Sequence, residues 1–232
     1  MKCLVLVSIL FILGVTTSLG LDNGHTSEGK TKVLKRIVKR SLGNLNAQIL
    51  PVLEGQIIAS CKNGEAANDL PDVFRDMKSC IARKQIIRTP KEEYLKNIEK
   101  CSQDAITKTK NCLSDEKKYF PDFLLVLVKS VVSFMYDDVD LLRVDLAACI
   151  PRISSFDAQN SYLTCVRDTA LQTHDTTELP NSKAEFCAKF IPINNCFTDM
   201  IKDYCPQTSN LKKLREDYIN MGKRPCGEKE VS

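Results

Sequence analysis

The sequence predicts an all-α protein, a multi-helix bundle built round one apolar helix and stabilised by disulfides. Three observations carry that reading. Phe123 to Met135 reads FLLVLVKSVVSFM, with ten of its thirteen residues strongly apolar. Elsewhere apolar residues recur at three- and four-residue spacing, and no run sustains the alternation of a half-buried strand. Ten of the eleven cysteines lie beyond the first twenty residues. As a helix the apolar stretch is only about 20 Å long, against about 30 Å for a hydrocarbon core. Lys129 near its middle disfavours a span further. The stretch is therefore expected to be buried by other helices, and no other segment is expected to cross a bilayer.

Met1 to Gly20 has Lys2 as a basic lead, Leu4 to Val15 as an apolar centre, and Ser18 and Gly20 as small residues. That is the pattern of a secretory signal peptide, with cleavage expected after Gly20. Without it ten cysteines remain, an even count that reads as five disulfides in an oxidising compartment. Basic residues then number 32 against 29 acidic, too mild a balance to imply nucleic acid. The chain is long enough to bury a core without bridges. The expected organisation is a leader 1–20, a disordered segment 21–32, one helical domain 33–226 and a free tail 227–232.

Residues 30–42 interleave Lys and Arg with Val, Leu and Ile. Two special readings are a membrane-surface helix and dibasic cleavage at Lys39-Arg40. The plain one is the solvated first turns of an amphipathic helix. Helical spacing continues through Leu45, Ile49, Leu53 and Ile57, kinked at Pro51 and closed at Asn63-Gly64. Leu70, Val73, Met77, Cys80 and Ile81 make the next face. Thr89-Pro90-Lys91-Glu92 predicts a capping box, opening a helix that carries Leu95, Ile98, Cys101, Ala105 and Cys112. Cys101 and Cys112 share one helical face about 16 Å apart, too far to bond each other, so each must tie this helix to something else.

Pro121 opens the apolar helix. Asp137, Asp138 and Asp140 are expected to stop it and cap the next, which carries Leu141, Leu142, Leu146 and Ile150 and ends at Pro151. Ser154 with Asp157 is expected to start a helix with Phe156, Leu163, Val166 and Ala170 as its apolar face. A loop follows over 172–181. Ser182 with Glu185 predicts a second capping box. Cys187, Cys196 and Cys205 recur at nine-residue intervals, and Pro192 and Pro206 predict short helices between corners. Leu211, Leu214 and Tyr218 mark a last helix closed by Gly222. About eight or nine helices result.

No motif for chemistry emerges. The cysteines include no C-x-x-C pair, and His25 and His174 are the only histidines, so neither structural nor catalytic zinc is expected. His174-Asp175 lacks a nucleophile elbow. The aspartates at 137, 138 and 140 lack the glycine and glutamate of a calcium loop. Glu93 with Glu99, or Glu178 with Glu185, are not distinguished from a charged helical surface. The expectation is no enzyme, no cofactor and no metal. No Asn-x-Ser/Thr sequon follows the leader, and the Cys variant at Asn194-Asn195-Cys196 is expected to be occupied by a bridge.

The unusually apolar central helix admits two readings. It is simply core, or it lines a cavity for a hydrophobic small molecule such as a fatty acid or sterol. On the second, Phe123, Leu124, Leu127, Val131 and Phe134 would form the lining. The cysteines, with pairing open, are Cys61, Cys80, Cys101, Cys112, Cys149, Cys165, Cys187, Cys196, Cys205 and Cys226.

The block LLRVDLAACIPRISSFDAQNSYLTCV, then CAKFIPINNCFTDMIKDYCP and the closing Arg-Pro-Cys226, resembles the insect 27 kDa haemolymph glycoprotein family over roughly residues 60–226. The gap between Cys101 and Cys112 is similar as well. The resemblance implies a secreted arthropod blood protein, helical and disulfide-bonded, with no established molecular activity. Similar proteins often carry cysteines where this chain has Met135 and near Glu92; both are absent here together, as on loss of one bridge, so the resemblance implies that those positions lie side by side. Two function classes are carried forward: an extracellular carrier of a hydrophobic small molecule, and an interaction or defence protein acting through its surface and the basic 30–42 stretch.

Overall fold

A computed structural model describes residues 53–61, 67–171 and 179–227. Outside them lie the expected leader with Gly20, the 21–32 and 30–42 segments, Asn63-Gly64, both histidines, Glu178 and the tail past Gly227. After a helical segment at 53–59, the chain forms α1 (Leu70–Ile81), α2 (Lys91–Cys112) and a 3-10 turn at Asp115–Lys117. Then come α3 (Phe120–Asp137) and a π-helical turn at Leu141–Leu146 that runs into α4 (Ala147–Ile153). Helices α5 (Phe156–Leu171), α6 (Lys183–Tyr204) and α7 (Ser209–Lys223) complete the bundle, with a 3-10 turn at Arg224–Cys226. No strand occurs among the described residues; Cys61 and Leu113 form one isolated antiparallel bridge.

Each helix packs on a neighbour in the series α1, α2, α3, α7, α6, α5, and α4 lies against α6. The apolar helix α3 is thus central. One face meets a ladder of aromatic rings: Phe123 against Phe186 at 4.8 Å, Phe120 against Phe186 at 5.9 Å and Phe134 against Tyr218 at 5.9 Å. Such offset and edge contacts add to what burial of the rings already contributes. The other face meets α2. The polar break in α3 is used on both sides. Ser130 donates to the Met221 carbonyl at 2.9 Å, and Lys129 pairs with Glu99. The residue four beyond Met221 is Pro225, which has no N–H, so Ser130 bonds a carbonyl that its own helix leaves open.

All ten cysteines pair: Cys61 with Cys112, Cys80 with Cys101, Cys149 with Cys205, Cys165 with Cys196 and Cys187 with Cys226. Cys101 and Cys112 tie α2 to two different places, as their shared face requires. The nine-residue repeat on α6 has a simple consequence. Nine steps of 100° turn a helix by half a revolution, so Cys187 and Cys196 leave opposite sides, one toward the end of α7 and the other toward α5.

Several expectations are corrected. Counted with the turn before α3, the helical run Asp115–Asp137 is 23 residues, long and apolar enough to cross a membrane by length and composition. The helix extends past the thirteen-residue apolar stretch into polar shoulders on both sides. In the fold that run is partly enclosed: Leu127 is buried whereas Val126 and Val128 are exposed, so burial is less complete than expected. Thr89 caps nothing with its side chain; α2 starts at Lys91 after Pro90. Asp137 and Asp138 do not act as N-caps but bond Lys91 and Lys213.

The α5 cap is Ser155, not Ser154, its hydroxyl accepting from the Ala158 N–H at 3.3 Å. The buried face of α5 is Ala158, Tyr162 and Val166, leaving Phe156 and Leu163 in solvent. Pro151 and Pro192 lie inside α4 and α6 instead of ending them. Pro192 and Ala188, whose carbonyl it strands, are both exposed, so water can take up that carbonyl. Gly222 is inside α7, not its cap, and its missing side chain admits Asn194: a Cβ there would stand 2.7 Å from Asn194 Nδ2. The chain turns instead at Gly227, with φ of 75°. Ser182 does cap α6, accepting from the Glu185 N–H at 3.1 Å, while Glu185 reaches the Asn181 N–H.

Candidate functional site

An apolar hollow lies on the α2 side of α3, between α1, α2 and α3. Helix spacing builds it. Phe74, Met77 and Ile81 present one stripe of α1; Ile98, Ser102, Ala105, Ile106 and Thr109 present one stripe of α2; Pro121, Leu124, Leu125 and Val128 present one stripe of α3. Each stripe follows three- and four-residue steps, the rule for one face of a helix. Ile57 completes the wall. The α2 stripe runs eleven steps from Ile98 to Thr109, so the groove is about 16 Å long. Its cavity volume is about 130 Å³, near the ~150 Å³ of an apolar cavity known to take benzene. Ser102 and Thr109 supply the only hydroxyls among its lining residues.

Two disulfides frame this groove. Cys80–Cys101 joins α1 to α2 beside Ile81 and Ser102, and Cys61–Cys112 joins the 53–61 segment to the far end of α2. Helix register sets three ion pairs beside the lining, at its lip: Lys78 with Glu54 at 2.8 Å, Lys110 with Asp122 at 2.5 Å, and Lys129 with Glu99. Their positions follow from the groove stripes. Asp122 and Lys129 stand three residues before and four after Leu125, and Glu99 and Lys110 stand seven before and four after Ile106.

Of the five residues expected to line a cavity, Leu124 alone lines this one. Phe123, Leu127 and Phe134 are buried in the main core, the two phenylalanines against Phe186 and Tyr218. Val131 is half-buried against the same core. The correction has a geometric cause: those positions share the aromatic face of α3, and the hollow is on the opposite face. Of the α1 and α2 lining, Met77, Ile81, Ile98 and Ala105 lie on faces legible from spacing and Phe74, Ser102, Ile106 and Thr109 do not, and nothing local says which two stripes leave a gap.

A second, polar hollow is lined by Phe134, Asp137, Asp138, Lys213, Asp217, Asn220, Met221 and Arg224. Lys213 bonds Asp138 at 3.0 Å and also Asp217. Burial pushes the Asp138 carboxyl above its ordinary value; the bond from Lys213 opposes this and the Asp217 charge adds to it. Lys213 is held above the usual lysine value by its bonds to Asp217 and Asp138. This cluster clasps α7 to the end of α3.

The other expected carboxylates are likewise committed to partners. Glu93 pairs with Lys84 and Glu99 with Lys129. Glu185 is held below the ordinary carboxylate range, chiefly by the bond from Lys189. The elements holding Met135 and Glu92 do meet, since Lys91 bonds Asp137 and Tyr94 lies against Tyr136 at 6.3 Å. Met135 is buried in the core and Glu92 is exposed.

Comparison with protein-family models, with curated proteins and with solved structures finds no match for this chain. What fold and site define is a class: a helical protein clasped by five disulfides, with a framed apolar groove on one side. Disulfides in that number fit a protein of the cell exterior or another oxidising compartment.

Proposed function

We propose that this protein is secreted and carries or binds a hydrophobic small molecule in the groove between α1, α2 and α3. One observation supports the reading above others: three helices bring apolar stripes together without filling the space between them. Protein interiors are otherwise close-packed, and an unfilled apolar cavity forfeits contacts. Disulfides at both ends hold the walls in place before any ligand arrives, which reduces the ordering cost of binding. The cysteine spacing and the signal-like N-terminus support a blood-type extracellular setting, in keeping with the haemolymph family resemblance.

The test uses the full chain, secreted from a eukaryotic host. The sequence has no tryptophan, so a neutral dye such as N-phenyl-1-naphthylamine can be followed without protein background. Saturable binding at one site is expected, and Leu125→Arg should weaken it about tenfold or more by placing a charge in the wall. Failure of the wild-type chain to bind the dye or any co-purified lipid by native mass spectrometry would overturn the carrier reading.

A second reading rests on Phe156, 82% exposed, with Leu163 two turns further along the same face of α5 at 58%. An interaction protein would use such a face, alone or with the basic 30–42 stretch. Phe156→Ser with Leu163→Ser would abolish partner capture on that reading and leave dye binding intact.

A further inference from the structure

Resting on the carrier reading, we infer that the groove selects uncharged molecules, such as a medium-chain alcohol, ester or terpenoid, and discriminates against fatty-acid anions. The inference comes from how charge is placed at the lip. An apolar groove that takes an ionised carboxylate needs a cation to receive the head group, because an unpaired charge in an apolar site is strongly disfavoured.

Among the described residues three lysines stand at this lip, and each already has a carboxylate: Glu54 on Lys78, Asp122 on Lys110 and Glu99 on Lys129. At each of the three an arriving anion meets a like charge beside the cation. It joins a pair that is already neutral overall, so the second contact returns little to offset the water its head group loses. Inside the groove the polar groups of the lining are the hydroxyls of Ser102 and Thr109, which suit an alcohol or ester oxygen and do not neutralise a charge.

Helix register makes the arrangement two-ended. On the seam between α2 and α3, the Lys110–Asp122 pair closes one end and the Glu99–Lys129 pair the other, with the lysine on α2 at the first and on α3 at the second. Neither end offers an anion a site the other lacks. A long molecule lying between them therefore finds the same neutral boundary at each tip.

The experiment measures displacement of N-phenyl-1-naphthylamine from the full chain by 1-decanol, methyl decanoate and decanoate, at about pH 8 so that the acid is ionised. The alcohol and ester should displace the dye at concentrations about tenfold or more below the anion, a difference of about 1.4 kcal/mol. In the double variant Glu99→Gln, Asp122→Asn the lysines at both ends are released, and the ratio of anion to alcohol affinity should rise toward one. Asp122 is exposed and Glu99 half-buried, and both replacements keep the side-chain shape, so the variant is expected to fold. Equal displacement by decanoate and decanol in the wild-type chain would overturn this inference and leave the carrier reading standing. A preference that survives the double variant unchanged would overturn it as well. If neither the dye nor any neutral ligand binds, because other residues of the chain fill the groove, both readings fall together.

Discussion

Asp138 shows how one side chain can set a pH dependence. It is 5% exposed and ends α3, and Lys213 on α7 is the cation that bonds it. Because burial raises its folded pKa, its contribution to stability is complete below the ordinary carboxylate value and is lost as pH rises through the folded one. Lys213→Met removes the bond and raises that pKa further. The variant should lose about 2 kcal/mol at neutral pH, the cost of stranding a buried acceptor. The deficit should shrink as pH falls and vanish when Asp138→Asn is added. Urea titrations across pH check this, and a pH-independent deficit would show that Lys213 acts by packing alone. Tyr136 does comparable work for the backbone. Its hydroxyl accepts from the Ile87 N–H at 3.0 Å and donates to the Thr89 carbonyl at 2.6 Å. Ile87 has φ of 68°, a costly conformation for a β-branched residue, and this clamp helps to hold it there.

At the scale of elements, contacts between helices decide what each helix does. The carbonyl of Met221 stays satisfied only because α3 presents Ser130 to it. Ser130→Ala should therefore cost about 1–3 kcal/mol, more than an exposed serine would, since a buried acceptor is left unmade. Equilibrium unfolding measures it, and a loss below a few tenths would mean that water takes the serine's place. Helix positions were largely readable from spacing. The opening of α6 was readable too, because the Ser182 cap is a local event. The errors share one kind of cause. Pro192 lies inside α6 and Phe156 on the outside of α5 against expectation, because each depends on which side of its helix faces water. Asp137 and Asp138 look like caps locally and are claimed by lysines 46 and 75 residues away in sequence.

For the whole molecule, the bridges divide the labour. Two frame the groove around α2, and three fasten α6 and its C-terminal end to α4, α5 and the end of α7. Cys149–Cys205 closes the longest loop, with its cysteines 56 residues apart. Replacing both with serine should cost about 4 kcal/mol by the loop-entropy relation, measured as a shift in urea midpoint. Because this pair lies away from the groove, dye affinity should hold at temperatures where the variant remains folded. A loss of affinity there would mean that the two halves of the bundle are coupled through α3.

Helix content, the central place of the FLLVLVKSVVSFM stretch and the pairing of every cysteine beyond the leader-like segment follow from composition and periodicity. Those are properties that short-range steric and solvation rules impose on the chain. Which cysteine meets which, which face of α3 is packed solid and which borders a gap, and which carboxylates sit on lysines were settled only by tertiary structure. Each depends on residues tens of positions apart arriving at one place, and local periodicity carries no record of that meeting.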